Sequence, residues 1–235
     1  GSSIARYSIV AKLGAGAFGD VFKGATTVEN GSAVQVAIKS MGKDKVLCTG
    51  GMQDDRKTQM LRDEIKSMEE LRQHRNVVRL HEPLYSETHI YLVMEFCGGG
   101  ELLDRIIELA DMAASYSEAD ASNVCKSILQ MLEHCHGHNI IHRDLKPENF
   151  LFLNKNDDSP IKLTDFGLST FYDGTPLTQK TGTIHYAAPE VLGRWIPDAL
   201  FNKLADKGLD GEGRAKIADL GMARTNVRFD ASAIS

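Results

Sequence analysis

The sequence has no excess of basic residues, and this lack disfavours one large class of partners. Its 235 residues carry 27 Lys and Arg against 32 Asp and Glu, which gives a formal net charge of −5. A protein that follows a nucleic-acid backbone needs a basic surface. We therefore expect no nucleic-acid partner, whereas a local acidic patch for a basic peptide is compatible with this charge.

Cysteine pairs, long apolar runs and a secretion signal are lacking as well. The four cysteines lie far apart and include no C-x-x-C pair: Cys48, Cys97, Cys125 and Cys135. Such spacing is typical of reduced thiols in a cytosolic or nuclear protein. No apolar run approaches the roughly 18 residues of a membrane span, and the start resembles no signal peptide. We expect no membrane span and a cytoplasmic or nuclear location. The missing initiator Met suggests a fragment of a longer protein.

Strand patterns fill the first part of the sequence and helical patterns the second. Apolar runs between glycine-bearing turns predict antiparallel strands at Tyr7–Leu13, Asp20–Ala25, Ala33–Lys39, Val77–His81 and Ile90–Glu95. Helical spacing predicts helices at Asp54–Leu71, Glu101–Ala110 and Glu118–His136, the last with Ser117 as N-cap. This order predicts an α+β fold in two lobes. The glycines after Cys97 predict a hinge, which divides the chain into 1–95, 96–192 and a divergent tail, 193–235.

A glycine loop follows the first predicted strand. Gly14, Gly16 and Gly19 satisfy G-x-G-x-x-G, a pattern shared by dinucleotide folds, by protein kinases and by ordinary turns. A dinucleotide fold needs a helix next and an acidic residue about 20 positions later. Here a strand pattern follows, and Lys39 stands 20 positions after Gly19, where the acidic residue would be expected. The context favours the kinase pattern G-x-G-x-x-G-x-V, with Val21 as its valine. The sequence also lacks G-x-x-x-x-G-K-[ST], which excludes the P-loop pattern.

Two further stretches fit the kinase pattern. The run from Val36 to Lys39 reads V-A-I-K, whose lysine contacts the α- and β-phosphates of ATP. Glu64, on the predicted helix Asp54–Leu71, is the candidate ion-pair partner of that lysine. We choose it over the other carboxylates because Met68, one turn on, places it on the inward face.

The longest motif begins at His142. It reads H-R-D-L-K-P-E-N and matches the kinase catalytic loop. This spacing lets Asp144 accept the proton of a substrate hydroxyl while Asn149 reaches a Mg²⁺ ion on the phosphates. Lys146 would neutralise charge on the transferred phosphoryl group.

Two shorter motifs follow in the expected order. Asp165 opens D-F-G after the predicted strand Ile161–Thr164, where it would bind Mg²⁺. Ala188-Pro189-Glu190 closes the activation segment, which begins at Asp165.

Together these motifs resemble the catalytic domain of Ser/Thr protein kinases, from about Tyr7 to about Leu192. The stretch from Glu148 to Lys155, with that from Ile161 to Ser169, is most similar to the calcium-dependent protein kinases of plants and protists within the calcium/calmodulin-dependent group. The resemblance implies a bilobal fold, ATP with Mg²⁺, and protein Ser/Thr substrates. Calcium or calmodulin regulation is implied by family analogy alone.

The resemblance also implies roles for residues around the nucleotide and the substrate. Met94 would be the gatekeeper, and the backbone of Glu95 and Cys97 would meet the adenine edge. Apolar residues that would enclose the adenine are Leu13, Val21, Ala37 and Leu151, each of which also suits a plain core position. Glu101 belongs to the nucleotide site, and with Glu148 it resembles the acidic pair that reads an upstream Arg in substrates.

The tail 193–235 departs from the family pattern. Its stretch from Ala215 to Arg224 resembles a second D-F-G region with Leu220 in place of Phe, and Gly208–Asp219 also fits a decayed EF-hand loop. Family helices that anchor the catalytic loop are not recognisable there. Two hypotheses therefore remain: an active phosphotransferase, or a nucleotide-binding or regulatory fragment with little transfer activity.

Three residues decide whether phosphorylation of the activation segment is expected. Gln179 stands where related kinases often carry a phosphoacceptor Thr. We therefore expect activity that does not depend on phosphorylation there. Thr178 and Thr181 are fallback acceptors, and either would pair with Arg143 once phosphorylated.

Overall fold

The fold is described from a computed structural model, which covers residues 4–16, 19–27, 31–111, 117–175, 177 and 181–187. Within these ranges the strands are β1 (Ser8–Gly16), β2 (Gly19–Thr27), β3 (Ala33–Gly42), β4 (Cys48–Thr49), β5 (Met52–Gln53), β6 (Leu80–Tyr85), β7 (His89–Glu95), β8 (Ile140–Ile141), β9 (Phe150–Phe152), β10 (Ile161–Leu163) and β11 (Thr170–Phe171). The α-helices are α1 (Lys43–Val46), α2 (Asp55–Leu71), α3 (Leu102–Asp111) and α4 (Glu118–Gly137). The predicted α+β class is confirmed.

A five-stranded antiparallel sheet forms the first part of the structure. Its strand order is β1-β2-β3-β7-β6. The central strand β3 buries Val36 and Ile38, which lie two positions apart and so pack on one face of the sheet. The other face carries Ala37 and Lys39, which belong to the candidate site.

One predicted strand is misplaced. We predicted Val77–His81, but β6 runs from Leu80 to Tyr85, and Val77 instead forms an isolated parallel bridge with Leu163. Within β6, Pro83 has no N–H to donate to a neighbouring strand. β6 is an edge strand, where proline is tolerated.

Capping residues explain where the two long helices begin. Asp54 accepts hydrogen bonds from the N–H groups of Arg56 and Lys57 at the start of α2. Ser117 accepts one from the N–H of Asp120 at the start of α4, as predicted. These bonds satisfy donors that lack partners within the helix. Glu101, which we predicted to begin α3, instead forms a bridge with Leu151, and the helix begins at Leu102.

The second part of the structure consists of helices and two short strand pairings. β9 pairs with β10, and β11 pairs with β8, both antiparallel. One buried apolar cluster joins both parts, with Met68 and Leu92 from the first and Met131, Leu163 and Phe166 from the second. The proposed division at residue 95 falls at the end of β7, and it stays a prediction. Ala188–Glu190 and the tail 193–235 lie outside the described residues. Among the helices described here, none is long and apolar enough to cross a membrane.

Candidate active site

A lysine and two carboxylates meet where the sheet, α2 and the D-F-G turn come together. Lys39 Nζ lies 2.6 Å from Glu64 Oε1 and 3.5 Å from Asp165 Oδ1. Glu64 is buried on the inner face of α2, next to buried Met68. The structure thus brings together three residues that the sequence analysis selected from three separate motifs.

The charges of this cluster stabilise one another. Burial opposes the charged form of Lys39, but Glu64 and Asp165 outweigh it and raise the pKa of the lysine above its ordinary value. Burial likewise opposes the charged form of Asp165, yet Lys39, the Gly167 N–H and His142 hold the pKa of that carboxyl below its usual range. Lys39 is therefore a fixed cation and Asp165 a fixed anion at neutral pH. The Asp165 side chain is about half exposed, at 52%, so it remains open to a ligand.

Sheet pairing lines up the apolar residues predicted for the adenine. Val21 stands opposite Gly14 on one side and Lys39 on the other, and Ala37 stands opposite Met94. Directly paired residues share a face, as do residues two apart in a strand. Gly14, Val21, Ala37 and Met94 therefore share a face with Lys39. Leu13 is about half exposed on β1, and Met94 is buried.

The ends of the glycine loop are paired strand residues. β1 ends at Gly16 and β2 begins at Gly19, and these two residues are paired. A Cβ atom at Gly19 would lie 1.9 Å from the Ser40 carbonyl oxygen, so only glycine fits beside β3. Gly14 has no atom within 4 Å of such a position.

The predicted hinge follows β7. Gly98 and Gly99 donate backbone hydrogen bonds to Leu153 and Phe152, which fasten the hinge to β9. Glu101, just after the hinge glycines, forms a bridge with Leu151 of β9, and Leu151 therefore lies beside the hinge. The carboxylate of Glu95 pairs with Lys162 Nζ at 2.8 Å. Burial raises the pKa of Cys97 to about 12, which keeps this thiol protonated.

Asp144 lies at the centre of a second cluster, formed by the catalytic-loop motif. Its Oδ2 is 2.9 Å from Lys146 Nζ, and its backbone oxygen accepts a 2.8 Å hydrogen bond from Asn149 Nδ2. Thr183 Oγ1 donates to Asp144 Oδ1 at 2.6 Å and accepts from Lys146 Nζ at 3.0 Å. Lys146 and Thr183 thus each hold one oxygen of the Asp144 carboxylate, which fixes its orientation.

Strand pairing also explains how the two predicted metal ligands become neighbours. Phe150 of β9 pairs with Leu163 of β10, so Asn149 and Asp165 emerge at the same end of this hairpin. The N–H and hydroxyl of Thr164 both donate to the Asn149 carbonyl, at 3.0 Å each. The NH₂ group of the Asn149 side chain donates to Asp144. The amide oxygen of Asn149 is thus the candidate metal ligand. A carboxylate and an amide oxygen are ligands that Mg²⁺ accepts.

Glu101 and Glu148 lie close enough to affect each other. Burial, with the negative charges of Asp104 and Glu148, raises the pKa of Glu101. The hydroxyl of Tyr186 forms a hydrogen bond with Glu148. The carboxylates of Glu101, Asp104 and Glu148 therefore lie near one another at the start of α3. A cation bound there would reduce their repulsion.

Thr183 was not selected by the sequence analysis. Its contact with Asp144 joins residues 39 positions apart, so neither local pattern nor spacing pointed to it. Arg143, which we predicted to pair with a phosphothreonine, has its Nε bonded to the Leu168 carbonyl at 2.6 Å. Thr181 lies within the described residues, whereas Thr178 and Gln179 lie outside them. The pairing stays a prediction.

Comparison with known proteins gives the same family. Residues 7–199 match the family described as "Protein kinase domain". Calcium-dependent protein kinase 8 of Oryza sativa subsp. japonica is 40% identical over 191 residues, which are 81% of this chain and 33% of the relative. Calcium-dependent protein kinase SK5 of Glycine max is 41% identical over 187 residues, 79% of this chain and 34% of the relative.

A third relative, calcium-dependent protein kinase 4 of Arabidopsis thaliana, is 41% identical over 187 residues, which are 79% of this chain and 35% of its own length. The chain thus spans about a third of the length of the curated relatives it matches. With the family match over residues 7–199 and the two charged clusters described above, the chain belongs to the protein kinase family.

Proposed function

We propose that the chain is an ATP-dependent protein Ser/Thr kinase that transfers the γ-phosphate of Mg-ATP to Ser and Thr hydroxyls of proteins. The observation that carries this proposal is the held carboxylate of Asp144, with Lys146 and Thr183 on its two oxygens. Asn149 links this carboxylate to the other cluster, because it bonds to Asp144 and accepts from Thr164, the neighbour of Asp165. Asp144 would then be the base, and the cluster of Lys39, Glu64 and Asp165 would bind the phosphates.

The residues around the cleft have separate tasks in binding ATP. The face that carries Val21, Ala37 and Met94 would receive the adenine, and the backbone after β7 would supply its polar contacts. Lys39, held by Glu64, would bind the α- and β-phosphates. Asp165 and the amide oxygen of Asn149 would hold Mg²⁺, which supplies charge neutralisation on the phosphates when bound.

Transfer itself depends on Asp144. Its carboxylate would orient the acceptor hydroxyl and accept its proton as the hydroxyl oxygen bonds to the γ-phosphorus and the bond to the leaving ADP oxygen breaks. Lys146 Nζ, 2.9 Å from Asp144, would stabilise negative charge on the phosphoryl group during transfer. Because positioned groups act through geometry, the hydrogen bond from Asn149 to the Asp144 backbone contributes by keeping the loop fixed.

The chemistry of the acidic cluster supports a preference for basic substrates. Burial, and in addition the negative charges of Asp104 and Glu148, raise the pKa of Glu101, so negative charge is concentrated at this place. An Arg side chain on the amino-terminal side of the acceptor would form charge-assisted hydrogen bonds there.

Calcium-linked signalling in the cytoplasm or nucleus completes the proposal. It is supported by the names of the relatives, which are calcium-dependent protein kinases, and by the four cysteines, all free thiols.

A phosphotransfer assay tests the proposal. The chain is incubated with ATP, Mg²⁺ and matched peptides whose acceptor is Ser, Thr or Tyr, each with an upstream Arg, and phosphopeptide is measured by mass spectrometry. We expect phosphate on the Ser and Thr peptides, and none with Asp144→Asn. Phosphate on the Tyr peptide alone contradicts the proposed class. Nucleotide-dependent stabilisation without transfer to any peptide supports the nucleotide-binding alternative instead.

A further inference from the structure

Two buried serines connect the elements that carry Glu64 and Asp165. Ser169 Oγ donates to Ser67 Oγ at 3.0 Å, across 102 residues of sequence. Both are almost fully buried, with exposures of 0% for Ser67 and 1% for Ser169. A buried hydroxyl without a partner is costly, so each serine depends on the other for its position.

We infer that this hydroxyl pair is a positioning contact of the phosphotransfer site, which holds α2, and with it Glu64, in register with the turn that carries Asp165. The inference deepens the proposed kinase function and rests on it. Ser67 lies one helical turn after Glu64, and the Ser169 N–H donates to the Phe166 carbonyl within the turn that begins at Asp165. A shift of either element would separate Lys39 from one of its two carboxylates.

The serine contact is one of three contacts between residues 169–171 and α2. The two residues after Ser169 also meet α2: Thr170 Oγ1 lies 3.5 Å from Asp63 Oδ2, and Lys66 Nζ lies 4.4 Å from the centre of the Phe171 ring. Asp63, Lys66 and Ser67 share one helix face, because they are three and four positions apart. The segment 169–171 is thus fixed along α2, and the serine pair is its buried end.

The same segment is fixed on its other side to the catalytic loop. Thr170 and Phe171 pair with Ile141 and Ile140 of β8, which directly precedes His142. The carbonyl of Leu168 accepts the 2.6 Å hydrogen bond from Arg143, the neighbour of Asp144. Residues 168–171 therefore connect the helix of Glu64 with the loop of Asp144, and the serine pair sits where that connection meets α2.

A double-mutant cycle with two readouts tests the inference. The variants are Ser67→Ala, Ser169→Ala and their combination, and Ser127→Ala on α4 is the matched control. Hydrogen exchange of α2, measured by mass spectrometry, reports the contact without nucleotide. The ratio of ATP affinities with and without Mg²⁺ reports whether Asp165 and Lys39 are in place. Circular dichroism verifies that every variant is folded.

We expect each single variant to accelerate exchange in α2 and to lower the Mg²⁺-dependent gain in ATP affinity about tenfold, the effect of one orphaned buried hydroxyl. The double variant should lose no more than the larger single loss, because coupled residues are not additive. The control should match the wild type in both readouts.

Unchanged exchange in α2, or fully additive losses, would overturn the inference. Faster exchange with an unchanged Mg²⁺ effect would also overturn it, since the contact would then be structural only. If the wild-type chain shows no Mg²⁺-dependent ATP binding, the proposed function fails, and the exchange data alone decide whether the serines hold α2.

Discussion

At the scale of single residues, the candidate site could be predicted wherever a motif assigns a residue its task. Lys39, Asp144 and Asp165 each belong to a string whose members have separate chemical roles, and the structure places each within ion-pair distance of a partner. Thr183 and the serine pair could not be predicted in this way. Their contacts depend on how the chain folds back over 39 and 102 positions, which no local pattern encodes.

Thr183 gives the first prediction. Its hydroxyl bridges Asp144 and Lys146, so Thr183→Ala removes a hydrogen bond from the carboxylate that positions the acceptor. We expect kcat to fall about tenfold, as for the loss of one charge-assisted hydrogen bond, with the KM for ATP little changed. Thr183→Ser keeps the hydroxyl and should retain most of the activity. Equal losses in both variants would assign the effect to the methyl group instead.

The acidic cluster of Glu101, Asp104 and Glu148 gives the second prediction. Glu148→Gln removes one charge that would bind a substrate Arg, and we expect the preference for a peptide with upstream Arg over the same peptide with Ala to fall about tenfold. Steady-state kcat/KM on the peptide pair measures this preference, and Glu108→Gln, an exposed change on α3, is the control. An unchanged preference would show that other residues read the substrate.

At the scale of elements, local chemistry located the helices better than the strands. Apolar spacing placed α2 to within a residue, and apolar spacing with the predicted cap at Ser117 did the same for α4. The sequence analysis missed α1 and the pairing of β4 with β5, which are too short for a periodic pattern. It also misplaced β6, an edge strand in which Pro83 is tolerated.

The packing of β2 against β3 gives the third prediction. Gly19→Ala would place a methyl group 1.9 Å from the Ser40 carbonyl, so the sheet must shift or the variant must unfold more easily. We expect a loss of about 1–3 kcal/mol in the free energy of unfolding. Gly14→Ala meets no atom within 4 Å and should change it by less than about 0.5 kcal/mol. Urea unfolding compares the two, and equal losses would contradict the close approach at Gly19.

At the scale of the whole molecule, the order of patterns was enough to predict the α+β class. Outside the motifs, contacts across the two parts were not predictable, because they join residues far apart in the chain. An example is the stacked pair of His74 and His134, whose ring centres are 4.9 Å apart. The alternative of a fragment with little transfer activity depends on the anchoring helices that the tail 193–235 lacks by sequence, and this tail lies outside the described residues.

Buried His142 and partly buried His74 and His134 give the fold a pH dependence. Burial lowers the pKa of His142 to about 4, and it lowers the pKa values of His74 and His134. The unfolded chain, with ordinary values near 6.5, then binds more protons than the folded chain. The histidines thus stabilise the fold fully above pH 6.5, and this contribution is lost as the pH falls towards 4.

For His142 alone, the difference between about 6.5 and about 4 corresponds to about 3 kcal/mol. Urea unfolding at several pH values between 7.5 and 4.5 should therefore show falling stability below pH 6.5, and His134→Gln should make the decline shallower. Stability that stays level from pH 7 to pH 5 would contradict the burial of neutral histidines.

The central claim is that Asp144 and Asp165 serve one phosphotransfer site. The most direct measurement is the initial rate of phosphopeptide formation, with ADP measured in parallel, for the wild type, Asp144→Asn and Asp165→Asn at saturating ATP and Mg²⁺. We predict one phosphopeptide per ADP in the wild type and a loss of at least about a hundredfold in each variant. Phosphopeptide formed at the wild-type rate by Asp144→Asn would contradict the account.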